Sequence, residues 1–149
     1  MIKVIIFDLW STLQYKRYTK GNILWFWKTF GRKHPYRKVL KAFEKLFQLD
    51  GSDDLRKKYS LLFDELNIPK TDIVIRKSAA YRKRIDTNGR LYKYVVPLMK
   101  KLKKKGYKIA VLSNITHLSA VKAKKSVLKD YVNKFFFSYQ IGSIKPNTK

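Results

Sequence analysis

Three short, largely apolar runs divide the chain into segments with different patterns. The runs cover residues 4–7, 107–112 and 135–138. Apolar runs of this length are typical of strands that a parallel sheet buries on both faces. We therefore predict three buried strands, the first of them close to residue 1.

The stretch between the first two strands, residues 15–89, follows the spacing of amphipathic helices and shows no strand signal. Apolar residues recur there at helical intervals, and Asn22 and Ser52 are residue types that cap helix N-termini. The predicted helices cover residues 22–31, 36–49, 52–66 and 69–85, and a turn is predicted at 87–89.

Beyond this stretch, helices and strands alternate. A predicted helix ends at Lys105, the second strand follows it, and a further helix over 117–129 precedes the third strand. This alternation is typical of a parallel sheet with crossover helices. We therefore predict an α/β fold, in which residues 1–14 and 90–149 form a Rossmann-like parallel sheet and residues 15–89 form an inserted all-helical unit.

The predicted strands are followed by side chains that are capable of chemistry. Asp8 follows the first strand, Ser113 and Asn114 end the second, and Lys145 lies in a Gly-x-x-Lys-Pro sequence after the third. Ligands of open α/β sheets bind outside the carboxyl ends of the strands. Each feature alone is also common at strand ends or on surfaces, so the prediction of a ligand site depends on their occurring together.

A strand-end Asp, a strand-end Ser-Asn and a late Gly-x-x-Lys-Pro, in this order, resemble the motifs of the haloacid dehalogenase superfamily of hydrolases. The resemblance covers most of the chain and implies that residues 15–89 form a helical cap. It implies that Asp8 is a nucleophile, which forms a covalent aspartyl intermediate that water hydrolyses. It also implies that Lys145 keeps Asp8 ionised and offsets negative charge that develops on the substrate.

The same resemblance implies binding roles for residues around Asp8. Thr12 would support the loop that carries the nucleophile, while Ser113 and Asn114 would hold the group that is transferred. Magnesium would bind to Asp8 and to the backbone carbonyl of Trp10. The expected substrate is a small anionic compound, most simply a phosphorylated one.

Position 10 departs from the pattern of the family's phosphatases, which carry a second Asp there as general acid and base. Trp10 cannot supply that proton, and the loss of a general acid typically lowers a rate by a factor of about 10²–10⁴. Leaving groups that need no proton are affected less, and the family's dehalogenases also lack this acid. A 2-haloacid dehalogenase-like enzyme is therefore one alternative, and a catalytically inactive basic module that binds nucleic acid is another.

The family's acidic fourth motif is a second departure, because the sequence reaches Lys149 without it. Asp8 would then be the only carboxylate of the magnesium site. One carboxylate is too few for firm binding of a cation that prefers oxygen ligands. The strand of the fourth motif would lie beside the first strand. We therefore expect residues 4–7 to form an exposed sheet edge, and we predict self-association through this edge or reduced stability.

The composition bears on the choice between an enzyme for a small anionic substrate and a module that binds nucleic acid. The 149 residues include 35 Lys and Arg against 10 Asp and Glu, a formal net charge of +25. This charge suits an anionic substrate, although solvated helix faces or a nucleic acid partner would also account for it. The lysines are scattered over several predicted helix faces, so we expect little binding of nucleic acid.

The absence of Cys excludes thiolate catalysis, and no apolar run approaches the ~20 residues of a membrane span. We expect no membrane partner and a cytoplasmic location.

Overall fold

A parallel sheet with helices packed around it forms the centre of the fold. The computed structural model describes residues 3–16 and 21–147. The strands in this part of the chain are β1 (Val4–Phe7), β2 (Gln14–Lys16), β3 (Gly89–Leu91), β4 (Lys108–Ser113) and β5 (Lys134–Phe137). Strands β1, β4 and β5 form a parallel sheet with β4 in the middle. Phe7 pairs with Val111 and Ser113 pairs with Phe137, so the carboxyl ends of the three strands lie along one edge. The predicted α/β fold is confirmed.

The helices of the described residues are α1 (Asn22–Phe26), α2 (Tyr36–Glu44), α3 (Leu55–Glu65), α4 (Asp72–Thr87), α5 (Val95–Lys104), α6 (His117–Lys125) and α7 (Ser138–Ile141). The π-helical turns Trp27–Gly31 and Lys45–Leu49 continue α1 and α2, and a 3₁₀ turn, Val127–Asp130, follows α6. The predicted helices over 22–31 and 36–49 are therefore each one continuous helical run. None of the helices in this part of the chain has the length and hydrophobicity of a membrane span.

Side-chain caps determine where two of the central helices begin. Asp54 Oδ1 accepts a hydrogen bond from the backbone of Lys57 at 2.9 Å and caps α3. Ser52, the predicted cap, lies in the preceding turn, where its hydroxyl accepts from the Asp54 N–H at 3.1 Å. The prediction was therefore two residues too early, because both residue types cap helices well. Thr71 caps α4 by accepting from the Val74 N–H at 3.3 Å.

Two short strands correct the prediction that residues 15–89 contain no strand. Strands β2 and β3 pair antiparallel, with Gln14 opposite Leu91 and Lys16 opposite Gly89. Three-residue strands contain too few positions to show a period of two, and these two are far apart in sequence. Gly89, which was predicted to lie in a turn, packs against the Trp10 indole: a Cβ at position 89 would lie only 2.8 Å from the ring.

Two separate hydrophobic clusters stabilise the fold. One packs the parallel sheet against α5 and α6, and its largest fully buried members are Leu9, Leu13, Met99 and Phe137. The other lies among α1 to α4, and its largest members are Phe26, Phe43, Phe47, Tyr59 and Phe63. The assignment of residues 15–89 as a cap stays a prediction.

Candidate active site

The carboxyl edge of the parallel sheet brings Asp8 and Lys145 into direct contact. Asp8 follows β1, and Lys145 lies in the loop after α7. Lys145 Nζ donates to Asp8 Oδ1 at 2.7 Å and to the carbonyl of Leu112 in β4 at 3.0 Å. The ammonium group thus links the ends of two neighbouring strands. The Asp8 and Lys145 side chains are 37% and 38% exposed, so a ligand from solvent can reach both.

The Asn114 side chain holds Lys145 through the lysine backbone. Asn114 Oδ1 accepts from the Lys145 N–H at 2.9 Å, and Asn114 Nδ2 donates to the Lys145 carbonyl at 3.1 Å. The amide therefore satisfies both backbone groups of Lys145, as a neighbouring strand would. In this structure Asn114 acts as a positioning residue for the lysine, and its predicted contact with the substrate stays a prediction.

Ser113 and Thr12 lie near the same edge without bonding to Asp8. Ser113 is the last residue of β4 and is buried. Thr12 lies in the turn after β1, where its carbonyl accepts from the Tyr94 hydroxyl. Within residues 3–16 and 21–147, neither the Ser113 nor the Thr12 hydroxyl has a hydrogen-bond partner. Their predicted roles in substrate binding stay predictions.

A tight turn reverses the chain after Asp8. Ser11 adopts a left-handed backbone conformation with φ of 62°, which costs an L-residue roughly 1–2 kcal/mol. The Ser11 N–H donates to the Gln14 carbonyl at 2.7 Å, and the Leu13 N–H donates to the Leu9 carbonyl at 2.9 Å. These two hydrogen bonds keep the strained residue in place.

The expectation of magnesium depends on two oxygen donors of this turn. Asp8 Oδ2 and the Trp10 carbonyl accept no hydrogen bond from the residues that the structure describes. No group of three His, Asp or Glu side chains suited to a metal occurs in those residues. Magnesium usually keeps several waters and is bound by one or two carboxylates together with substrate phosphates. The donors present therefore fit a magnesium ion whose shell a phosphate completes, rather than a metal site formed by the protein alone.

A crevice of about 210 Å³ opens between the sheet edge and the helices. Trp10 and Asn114 line it on the side of the sheet. Arg82 of α4 and Lys16 at the end of β2 also line it. Trp10 and Asn114 therefore connect the Asp8–Lys145 pair to this crevice. Lys16 and Arg82, which also line it, are cations that were not predicted as site residues.

Arg82 belongs to a buried ion pair that joins α4 to the start of α6. Arg82 Nε donates to Asp86 Oδ2 at 2.7 Å, and the Thr116 hydroxyl donates to the same oxygen at 2.9 Å. Arg82 and Asp86 are 6% and 1% exposed. The guanidinium group also lies 5.0 Å from the centre of the Phe43 ring. This network connects the helical stretch to the sheet unit.

Lys16 lies against the face of Trp10, with its Nζ 4.4 Å from the ring centroid. Burial and, to a lesser extent, the charge of Arg82 lower the pKa of Lys16 to about 8, while Asp86 acts in the opposite direction. The protonated form of this lysine is therefore less favourable in the folded protein than it is in water.

A comparison with models of known protein families assigns this chain to one of them. The family model described as haloacid dehalogenase-like hydrolase matches residues 2–149. The chain belongs to this family of hydrolases. The family resemblance inferred from the strand-end motifs is thereby confirmed. A search of the curated proteins found no match.

Solved structures of other haloacid dehalogenase-like hydrolases share the fold. A family enzyme from Bacteroides thetaiotaomicron has a TM-score of 0.61 at 18% identity, with 98% of this chain and 73% of that chain covered. Another structure of that enzyme contains magnesium and inorganic phosphate, with a TM-score of 0.58 at 19% identity and coverage of 99% and 74%.

Two further structures represent different activities within the same fold. A predicted phosphoglycolate phosphatase from Haemophilus somnus has a TM-score of 0.53 at 18% identity, covering 98% of this chain and 67% of that chain. An L-2-haloacid dehalogenase has a TM-score of 0.50 at 14% identity, with coverage of 97% and 67%. These likenesses concern the fold alone and do not distinguish a phosphatase from a dehalogenase.

Three charged residues of this hydrolase were not predicted to lie at the site: Lys16, Arg82 and Asp86. The spacing of Arg82 and Asp86 on a predicted helix is that of an i,i+4 ion pair, which the sequence could have indicated. Such pairs are usually solvated, however, and this one is buried by residues that are distant in sequence, among them Phe43 and Thr116. No local signal marks Lys16.

Proposed function

We propose that this hydrolase is a phosphatase-type enzyme that uses Asp8 as its nucleophile on a small anionic phosphate compound. The observation that carries the proposal is the contact of Lys145 Nζ with Asp8 Oδ1 at 2.7 Å, at the carboxyl edge of the sheet. Asp8 Oδ2 accepts no hydrogen bond from the described residues and is the oxygen available for attack. An ionised carboxylate needs no general base to activate it, which suits this arrangement.

The reaction would proceed in two displacements. Asp8 attacks the phosphorus, and the bond from phosphorus to the leaving oxygen breaks, with the electron pair remaining on that oxygen. Water then displaces the Asp8 carboxylate from the phosphorus, releasing inorganic phosphate and a proton. Lys145 offsets the negative charge that develops during both steps. Magnesium bound by Asp8 and the Trp10 carbonyl would supply further positive charge beside the phosphate.

Trp10 restricts the leaving groups that this chemistry can use. Its indole provides no acid for an alkoxide, so we expect acyl and aryl phosphates to react faster than alkyl phosphates. The same residue favours the second candidate function, hydrolysis of a 2-haloacid, in which halide leaves without a proton. Both candidates use Asp8 and Lys145 in the same roles.

We also propose that residues 15–89 act as a cap over the crevice. The helices of this stretch have their own hydrophobic cluster. They connect to the sheet unit through the paired strands β2 and β3. The crevice lies between the two units, so movement of the helices would change access to it.

Kinetic comparison of three substrate classes tests the proposed function. Acetyl phosphate or p-nitrophenyl phosphate should be hydrolysed much faster than glycerol phosphate, and a haloacid should be the poorest substrate. Asp8→Asn should abolish turnover and should also abolish binding of beryllofluoride, a mimic of the phosphoryl group. A haloacid that reacts faster than the phosphates would establish the second candidate instead.

Asp130→Asn provides a matched control, because Asp130 is an exposed carboxylate at the end of the 3₁₀ turn after α6. This variant makes the same chemical change away from the site and should keep full activity. Undiminished turnover in Asp8→Asn would exclude Asp8 as the nucleophile. Equal rates for aryl and alkyl phosphates would show that another group supplies the proton.

A further inference from the structure

We propose that the crevice beside Asp8 binds a carboxylate of the substrate through Lys16 and Arg82. The substrate would then be a small phosphate compound that carries a carboxylate at its other end. This inference depends on the proposed function, because it assigns the part of the substrate that does not react.

Lys16 is a cation without an ion-pair partner among the residues that the structure describes. All ten Asp and Glu residues of the sequence lie in the described part of the chain. None of these described carboxylates is within ion-pair distance of Lys16 Nζ, whose close contact is the Trp10 ring. An ammonium group that is partly removed from water without a counter-charge is costly. A bound anion would remove this cost.

Arg82 has hydrogen-bonding capacity that the described part of the chain leaves unused. Its Nε is bonded to Asp86, while its terminal nitrogens donate to no group in the described residues. A guanidinium group presents its donors in a planar fork that matches the two oxygens of a carboxylate. Because Arg82 lines the same crevice as Lys16, the two cations can bind one anion together.

The charges and the size of the crevice favour a carboxylate over a second phosphate. Lys16 and Arg82 contribute two positive charges and Asp86 one negative charge, which leaves a net charge of +1. One carboxylate neutralises this charge, whereas a phosphate at about −1.5 to −2 would exceed it. The volume of about 210 Å³ is also below the range of roughly 300–1,000 Å³ typical of larger ligands.

The crevice also adjoins the Asp8–Lys145 pair through Asn114, as a substrate with two anionic ends requires. Asn114 and Trp10 line its wall on the side of the sheet. Asn114 bonds directly to the Lys145 backbone, and Lys145 bonds to Asp8. A ligand whose phosphate lies at Asp8 and Lys145 can therefore extend past Asn114 towards Lys16 and Arg82.

Calorimetric titration with non-hydrolysable phosphonates tests this inference without requiring turnover. Phosphonoacetate is compared with ethylphosphonate, and 3-phosphonopropionate with propylphosphonate, so that each pair differs mainly by the carboxylate. At least one carboxylated compound should bind about 10-fold to 100-fold more tightly than its counterpart without a carboxylate, as expected for a charge-assisted hydrogen bond. Lys16→Met should abolish this preference, and Lys16→Arg should retain most of it.

Lys100→Met is the matched control, because it removes the same charge from an exposed position on α5. It should leave the carboxylate preference unchanged. Thermal unfolding provides a second measurement: Lys16→Met should keep or raise Tm, since it removes an uncompensated cation. A structural role for Lys16 would instead lower Tm and weaken both members of a pair equally, which would overturn the inference.

The outcomes separate this inference from the proposed function. Equal affinity of the wild-type protein for phosphonates with and without a carboxylate would overturn the inference and leave the phosphatase assignment intact. A protein that binds neither kind of phosphonate would contradict the proposed phosphate site, and the inference would be rejected with it.

Discussion

Lys145 and Asp8 lie 2.7 Å apart, in a position where both side chains are more than one third exposed. Ion pairs in such positions contribute about 0–1 kcal/mol to stability, because water screens the charges. We predict that Lys145→Met lowers kcat by a factor of about 10²–10³, since it removes charge stabilisation in the transition state. The free energy of unfolding should change by less than about 1 kcal/mol. Steady-state kinetics and urea unfolding measure the two effects.

Lys104→Met on the exposed face of α5 is a suitable control for this prediction, because it lies outside the crevice. Lys145→Arg should recover part of the activity by restoring the charge. A Lys145→Met protein with full activity and a large loss of stability would contradict the assignment of Lys145 to catalysis.

The location of a single site residue was predictable from sequence where that residue directly follows a strand of the parallel sheet. Asp8 and Asn114 follow strands of one parallel sheet, so their meeting at one edge follows from the strand pattern. Lys145 required the additional information of the family motif. Lys16 was not predictable, because its surroundings include Arg82 of α4, which is distant in sequence and lines the same crevice.

Helix α4 carries two ion pairs of the same spacing in opposite environments. Arg82 and Asp86 are buried, whereas the side chains of Arg76 and Asp72 are 52% and 73% exposed. We predict that Asp86→Ala lowers the free energy of unfolding by about 3–5 kcal/mol, because it leaves a buried guanidinium group without its counter-charge. Asp72→Ala on the same helix should cost less than about 1 kcal/mol. Urea unfolding of both variants provides the comparison, and similar losses would contradict it.

The longer elements were predictable because each contains several turns or a full apolar run. The helices α3 and α4 show repeated apolar positions, and β4 is a continuous buried strand. Strands β2 and β3 were missed because their pairing joins distant parts of the chain. The start of α3 was misplaced because Ser52 and Asp54 compete for the same role.

On the scale of the whole molecule, an exposed apolar strand is combined with a large positive charge. Strand β1 is the outer strand on one side of the described parallel sheet, and Val4 and Ile6 are 48% and 59% exposed. The net charge of +25 opposes association of two copies. We predict self-association through β1 that strengthens as salt screens this repulsion. Light scattering coupled to size-exclusion chromatography, at low and high salt, measures it.

Ile6→Lys should abolish this association, because a charge on an edge strand opposes pairing with another chain. Leu61→Lys adds the same charge at another exposed apolar position, on α3, and should have little effect. A monomer under all salt conditions, or a dimer that Ile6→Lys leaves intact, would contradict the prediction.

The pairing of β2 with β3 also determines which segments could replace the helices between these two strands. Lys16 and Gly89 are opposite residues of an antiparallel pair, and the Cα atoms of such residues are only about 4.5–5.5 Å apart. Any folded segment whose two ends meet at that spacing can replace the intervening helices without stretching the sheet unit. Doubling the length of such an insert adds only about 0.6 kcal/mol of closure entropy. Under the proposed function, a residue of those helices such as Arg82 could then change while Asp8, Lys145 and Lys16 stay in place.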